Sequence, residues 1–398
     1  MQEHPYQTKI IPVDPQNIDD RLLMPAAEAL RRGELVAFPT ETVYGLGANA
    51  LDAMAVNRIF AAKGRPADNP LIVHLADLAA LPELVRQITP LAEKLFAAFS
   101  PGPLTLILPR SSRIPDQVTA GLDTVAIRLP SHPIARRLIE LAGVPIAAPS
   151  ANRSGRPSPT RAWHVREDLD GLIPYIIDGG DCRFGLESTV VDATGRIPVI
   201  LRPGSVTAAA IRSAAGSVAG IGSETDGGQT GRPQGNRLEL AGMTKNGTPR
   251  APGMKYRHYA PKARVVLAEN PEMAIRQTLL RQLLEKWSAQ GCKIGVFGCR
   301  QLIGALPERG LEVTAGESAA RIKLAAEIKT DYYYLAYAAE PDPAAAGKAL
   351  FNALRLLDEL GVAVILAEGL PDSGLGSAYM NRLRKAAGTP ADLPPEGT

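Results

Sequence analysis

Residues 35–50 read LVAFPTETVYGLGANA. Leu35, Val36, Ala37 and Phe38 form an apolar run stopped by Pro39, which is the pattern of a buried strand. The hydroxyls, acid and glycines that follow predict a loop after that strand, with Gly45 and Gly47 letting the backbone approach a ligand. A plain strand-end turn leading to a helix cap accounts for the same residues, since such loops recur throughout α/β folds. Outward from this stretch, strand and helix signals alternate. Residues 52–62 carry apolar side chains at helical spacing behind Asp52, a capping residue. Strands are predicted at 71–75, 104–108, 124–129, 145–148, 175–177, 188–191 and 199–201. Continuous apolar strands argue for a sheet covered by helices, hence a twisted α/β domain.

The pattern breaks near residue 213. Up to residue 262 the chain is rich in Gly, Ser, Thr, Asn and Pro, with few recurring apolar positions. That composition predicts a linker, and long linkers are often functional. Beyond it, strands are predicted at 265–267, 294–297, 332–335 and 362–366, with helices at 279–287 and 349–360. These read as a second, smaller Rossmann-like α/β domain. The expected division is therefore 1–212, 213–262 and 263–398. A chain of 398 residues is too long for one core, which agrees with two domains.

The totals exclude several classes of function. Hydrophobic residues make up 45% and charged residues 21%, with no apolar run of membrane-spanning length, so a globular chain without membrane partners is expected. The opening MQEHPYQTKIIPVD lacks the basic-then-apolar pattern of a signal peptide. Cys182, Cys292 and Cys299 are scattered and form no CxxC pair, which argues against a zinc site or a disulfide framework. A reducing, cytoplasmic setting follows. The net charge of +3 permits only weak RNA contact, and 5% aromatics advertise no stacking platform.

No P-loop, HExxH or GxSxG motif occurs, and no GxGxxG follows a strand. A nucleotide site must be built otherwise. Lys63 and Arg65 flank Gly64, which suits a phosphate, although a solvated basic turn has the same composition. His74 lies in an apolar run, either as a core residue or as a ligand contact. Arg128 lies within a strand and needs an anion, internal or bound. Ser150 and Asn152, Ser158, Asp178-Gly179-Gly180, Ser188 and Arg202 also fall at or near predicted strand ends, where open α/β sheets bind ligands. There is no carboxylate dyad and no cysteine nucleophile. The set favours an anionic ligand handled by positioning and charge.

The stretches PTETVYGLGANA, KGRPADNPLIVH, PGPLT, VTAGLDTVAIRLP, PIAAPSAN and LESTVVD closely resemble the YrdC/Sua5 family of threonylcarbamoyl-AMP synthases. PGMKYRHYAP at 252–261 resembles the linker of the longer, two-domain Sua5 form, and GLGSAYMNRLRKAAG at 374–388 the end of its C-terminal domain. The resemblance implies a YrdC-like N-terminal domain followed by a Sua5 C-terminal domain. It implies an enzyme that joins L-threonine, bicarbonate or CO2 and ATP into threonylcarbamoyl-adenylate, releasing pyrophosphate. Downstream transfer machinery would then modify an adenosine beside the anticodon of tRNA. Mg²⁺ would arrive with ATP, with no dedicated metal ligands. By the same resemblance, Lys63, Arg65, Ser150 and Asn152 are expected to be catalytic. Arg65, Asn69, Thr124, Ser150, Ser158, Arg202 and His258 would hold ATP. Thr42, His74, Arg128, the backbone at Ala148 and Ser188 would hold threonine, with Arg128 taking its carboxylate. Tyr256 and His258 would reach in from the linker as a cover. Three rivals remain on sequence grounds: a non-enzymatic RNA-binding protein, a carbamoyl-transfer module for metallocofactor maturation, and a threonine or nucleotide sensor.

Overall fold

The computed structural model describes residues 5–216, 249, 259–306, 310–313 and 331–388. The chain divides into two compact units. The first takes in the described residues up to 154, with 159–183 and 187–216. The second takes in 155–158, 184–186 and the described residues from 259 onward.

The first unit is built on one mixed sheet. Its strands are β1 (Lys9–Pro12), β2 (Val36–Phe38), β3 (Gly45–Asn49), β4 (Ile72–His74), β5 (Leu104–Pro109), β6 (Thr124–Arg128), β7 (Ile146–Ala147), β8 (Tyr175–Asp178), β9 (Thr189–Asp192) and β10 (Val199–Arg202). They lie in the order β1-β8-β2-β3-β7-β4-β6-β5-β9-β10. Pairing is parallel for β4 with β6 and antiparallel for β5 with β6 and β4 with β7.

Successive strand residues face opposite sides, and the buried residues sort accordingly. Val73, Leu104, Leu106, Leu108, Val125, Ile127 and Ala147 join a large core with Val56 and Ile59 of the Ala53–Lys63 helix and Leu91 and Leu95 of the Pro90–Phe99 helix. The alternate positions Ile72, Ile107, Ala126, Val190 and Leu201 form a small apolar patch of their own. Toward β2, the helices Asp20–Arg31 and Pro133–Ala142 close a third cluster on Val36, Phe38, Ile146 and Ala148. The Ala53–Lys63 helix starts where the Asp52 carboxylate accepts from Met54 N (2.8 Å) and Ala55 N (3.2 Å). It ends at Gly64, whose φ of 59° is the left-handed conformation glycine adopts at little cost.

One sequence expectation changes here. Residues 45–49 are not loop but strand β3, paired antiparallel to β2. Gly47 answers to packing: a Cβ there would come within 2.8 Å of Ile146 Cγ2 and of the Phe38 ring. Close approach of two side chains, rather than of a ligand, requires that glycine.

The second unit is a parallel five-stranded sheet of β11 (Arg264–Ala268), β12 (Ile294–Gly298), β13 (Leu311–Val313), β14 (Tyr332–Ala336) and β15 (Val364–Glu368). The order is β11-β15-β12-β14-β13. The helices Met273–Ser288, Pro343–Glu359 and Leu375–Ala387 accompany it. Parallel strands need helical crossovers, and their unbroken apolar runs are what made them readable in the sequence. No helix of the described residues is long and apolar enough to cross a membrane.

Candidate active site

Strand register places the expected contacts on one face of the first sheet. His74 pairs with Arg128, Thr105 pairs with Arg128, and Thr124 shares the Arg128 face by the two-residue period. Ala148 follows Ile146, the partner of His74, at the same period, and its N–H bonds Ile72 O at 2.9 Å. These groups surround the apolar patch of Ile72, Ile107, Ala126, Val190 and Leu201. His74 and Arg128 end β4 and β6, Arg202 ends β10, Ser188 directly precedes β9 and Ala148 directly follows β7, so these groups lie at strand ends as well as on one face. A mixed sheet has no common carboxyl edge, so its polar side chains converge across a face.

Arg128 and Glu41 form a buried ion pair of 2.6 Å. Glu41 Oε2 also accepts from Ser131 N at 3.2 Å. Arg128 Nε leans on Gly102 O at 3.4 Å. Among the described residues, no hydrogen bond uses Arg128 Nη1. His74 is buried, and burial, then the Arg128 charge, lowers its pKa to about 3, so the ring is neutral near pH 7. A carbonyl only accepts, so the ring meets Ile72 O, 3.2 Å from Nδ1, as a donor. The Thr40 hydroxyl donates to Val43 O at 2.6 Å, so in the 2.8 Å contact between Thr40 and Thr42 it is Thr42 that donates. Ser188 meets the Thr105 hydroxyl at 2.7 Å, and Arg202 grips the Ser188 carbonyl at 3.0 and 3.1 Å.

A second polar group lies along the 63–70 and 150–152 segments. Lys63 is buried at the end of its helix and donates to Ser150 O at 2.6 Å and to Asn152 O. Ser150 Oγ donates to Asn152 Oδ1 at 2.5 Å. Arg65 donates to Asn69 O and Pro70 O, each at 3.3 Å. The structure thus joins Lys63, Ser150 and Asn152, with the Lys63 ammonium bracing the 150–152 turn, while Arg65 bonds the Asn69 and Pro70 carbonyls. Asn69 stands apart. Its side-chain amide is buried, yet neither its oxygen nor its nitrogen has a hydrogen-bond partner among the described residues. An unsatisfied buried amide is costly unless something else completes it.

Of the remaining expected residues, Thr124 is half-buried and lies four residues along β6 from Arg128, roughly 13 Å at a strand rise of ~3.3 Å. That length suits an extended ligand rather than a compact one. Ser158 belongs to the second unit, where Arg355 donates to the neighbouring Pro157 O at 2.6 and 3.2 Å. Tyr256, His258 and most of the 213–262 segment lie outside the described residues. Among the described residues, no three or more His, Cys, Asp or Glu are placed to hold a metal ion.

Residues 28–204 match the Sua5–YciO–YrdC family model, described as telomere recombination, and 206–388 match the model of the threonylcarbamoyl-AMP synthase C-terminal domain. A threonylcarbamoyl-AMP synthase of Pyrococcus abyssi is 46% identical over 94% of this chain and 96% of its own length. The chain belongs to the threonylcarbamoyl-AMP synthase family.

Another member of this threonylcarbamoyl-AMP synthase family, from Bacillus subtilis, is 43% identical over 94% of this chain and 95% of its own. The crystal structure of P. abyssi Sua5 complexed with L-threonine matches with a TM-score of 0.77 and 45% identity, covering 95% of this chain and 97% of that one. Within the synthase fold, sequence reasoning had missed Glu41 and Thr105. Thr105 carried a usable signal: it is a hydroxyl at the end of an otherwise apolar strand. Glu41 stood inside a quoted motif, but nothing in the spacing tied it to Arg128.

Proposed function

We propose that this chain makes L-threonylcarbamoyladenylate and pyrophosphate from L-threonine, bicarbonate or CO2, and ATP, supplying a threonylcarbamoyl group for tRNA modification. The observation that carries the reading is the polar sheet face. An arginine with a donor unused among the described residues, a neutral histidine and paired hydroxyls lie together on it, and the 63–70 segment adds a buried amide without a partner among those residues. In this reading threonine lies against Thr42, His74, Arg128, Ala148 and Ser188. The triphosphate and nucleoside lie toward Arg65, Asn69, Thr124 and Ser150, with Arg202 as a further contact.

The threonine amine takes up CO2 to give a carbamate. A carbamate oxygen attacks the α-phosphorus, the bond to the β-phosphate oxygen breaks, and pyrophosphate leaves. Charge spreads over phosphate oxygens in that step, and fixed cations with oriented N–H groups stabilise it without reorganising. Holding both substrates on one floor removes the entropic cost of their encounter. Mg²⁺ fits as the companion of ATP, since the described residues near the 150–152 turn supply hydroxyls and amides rather than a carboxylate cage. It would neutralise phosphate charge. The catalytic roles are assigned to residues 1–212, and the Rossmann-like residues 263–398 carry none of the chemistry.

The test is pyrophosphate release from the pure protein given ATP, Mg²⁺, bicarbonate and L-threonine. Release that needs both threonine and bicarbonate supports the reading. Release indifferent to threonine, or none at all, overturns it. Threonine-dependent turnover without RNA would also dismiss the RNA-binding and sensor rivals.

A further inference from the structure

The Arg128–Glu41 pair is an unusual way to furnish an anion site. If Arg128 served only to hold a carboxylate, an internal carboxylate on the same guanidinium would compete with it. The geometry shows why the two coexist. Glu41 Oε1 takes only Nη2, leaving Nη1 for a second partner. Each carboxylate oxygen has two lone-pair directions, and Glu41 spends one on Arg128 and one on Ser131 N. Two acceptor directions therefore remain beside an unused donor. The neighbours add no competing charge. His74 is neutral, the Cys182 thiol is held protonated by burial and the Glu41 charge, and burial holds His132 below its usual range. His132 Nδ1 is buried without a hydrogen-bond partner among the described residues. Arg128 and Glu41 thus present one positive and one negative group side by side.

We propose that Glu41 and Arg128 together recognise the zwitterion of an α-amino acid: Arg128 Nη1 takes the α-carboxylate and Glu41 takes the α-ammonium. An α-amino acid carries its two charges on one carbon, so they reach two neighbouring protein charges at once. Glu41 is then a specificity-determining residue that also fixes the Arg128 side chain. A lone arginine would accept any small carboxylate. The pair rejects those without an amine, because the Glu41 charge repels their carboxylate and gains no ammonium in return. A buried ion pair is weak evidence for stability, so a recognition role also explains its presence. This inference rests on the proposed threonine site and adds the group that reads the amine.

The experiment is calorimetric binding of L-threonine and of 2,3-dihydroxybutanoate, which has a hydroxyl in place of the amine. It uses the full chain and its Glu41→Gln and Glu41→Asp variants, with circular dichroism to confirm folding. The wild type should favour threonine by at least tenfold. Glu41→Gln should bring the ratio near one, mainly by weakening threonine, and Glu41→Asp should keep most of it. If the wild type binds threonine but does not discriminate, the inference falls and needs no variant to show it. An unchanged ratio in folded Glu41→Gln overturns it equally. If the wild type binds neither compound, the threonine site itself fails and the inference goes with it.

Discussion

Each unit buries an arginine–carboxylate pair, and the two pairs do different things. In the first, Arg128 and Glu41 meet at 2.6 Å in a buried patch among hydroxyls, with donor and acceptor capacity left over among the described residues. In the second, Arg276 stands 3.6 Å from Glu368 at the end of β15. There Glu368 Oε2 accepts from Cys299 N at 2.7 Å and from the Tyr337 hydroxyl at 2.8 Å. Its backbone carbonyl takes the Tyr379 hydroxyl at 2.6 Å, and Arg276 Nη1 turns to Gly369 O at 3.3 Å. This second pair joins the carboxyl ends of β15 and β12 and the turn after β14, and its contacts are internal. A buried charge does not by itself mark a site. Unspent capacity alone does not mark one either, since Arg276 Nε is buried without a partner among the described residues; the first pair differs in standing among the hydroxyls of Thr42, Thr105 and Ser188 and beside His74.

The sharpest way to break this contrast is Arg128→Ala. It strands Glu41 as a buried, uncompensated carboxylate, which costs about 3–5 kcal/mol of stability. It also removes the carboxylate contact, so threonine affinity should fall by roughly 100-fold or more, the scale of ~2–5 kcal/mol for one side of a desolvated charge contact. Thermal melts and threonine calorimetry on the same preparation check both. Retained threonine affinity in a folded variant would place the amino acid elsewhere.

Glu368→Ala is the matching change in the second unit. It strands Arg276 and strips Cys299 N and Tyr337 of their acceptor, so a stability loss of about 3–5 kcal/mol is expected. Threonine affinity should remain, and that separation is the point of the measurement. A large loss of threonine binding with little change in denaturant midpoint would reverse the roles given to the two pairs. Tyr337→Phe is milder. It removes one hydrogen bond to a charged acceptor, worth ~1.5–3 kcal/mol, while Cys299 N still holds the same oxygen. Urea unfolding should resolve it, and an unchanged midpoint would show that Cys299 and Arg276 suffice.

The comparison also explains what could be read from the sequence. The parallel strands of the second unit announced themselves as unbroken apolar runs, because both faces of such strands are covered. β13 escaped because it is three residues with one buried side chain. In the first unit the two-residue period at Thr124, Ala126 and Arg128 was visible, and so was the demand of an in-strand arginine for an anion. The partner was not, since Glu41 lies 87 residues earlier and only the fold brings it near. Gly47 was misread for the same reason: its need to be glycine comes from Ile146 on another strand. Local chemistry was legible where one strand contained it. Whatever depended on the order β3-β7-β4-β6-β5 was not, and that order is what sets His74, Arg128, Thr105 and Ala148 on neighbouring strands.

His74 gives the smallest effect at neutral pH and the finest probe of that face. Its folded pKa, about 3, lies below the ordinary 6.5 because burial and the Arg128 charge both disfavour the imidazolium. Above pH 6.5 the ring is neutral in folded and unfolded chains alike and contributes no pH dependence. As pH falls from 6.5 toward 3, the unfolded chain takes up a proton that the folded chain refuses, so stability drops by up to ~1.4 kcal/mol per pH unit from this residue. His74→Gln keeps a donor for Ile72 O and lacks the titration, so its stability should fall less steeply over that window, with the two proteins diverging progressively below pH 6.5. Urea unfolding at half-unit pH steps would show it. Parallel curves would mean that the ring gains a proton in the folded state as readily as in the unfolded one. In that case the Arg128 charge is screened from His74, and the neutral ring beside Arg128 does not exist as described.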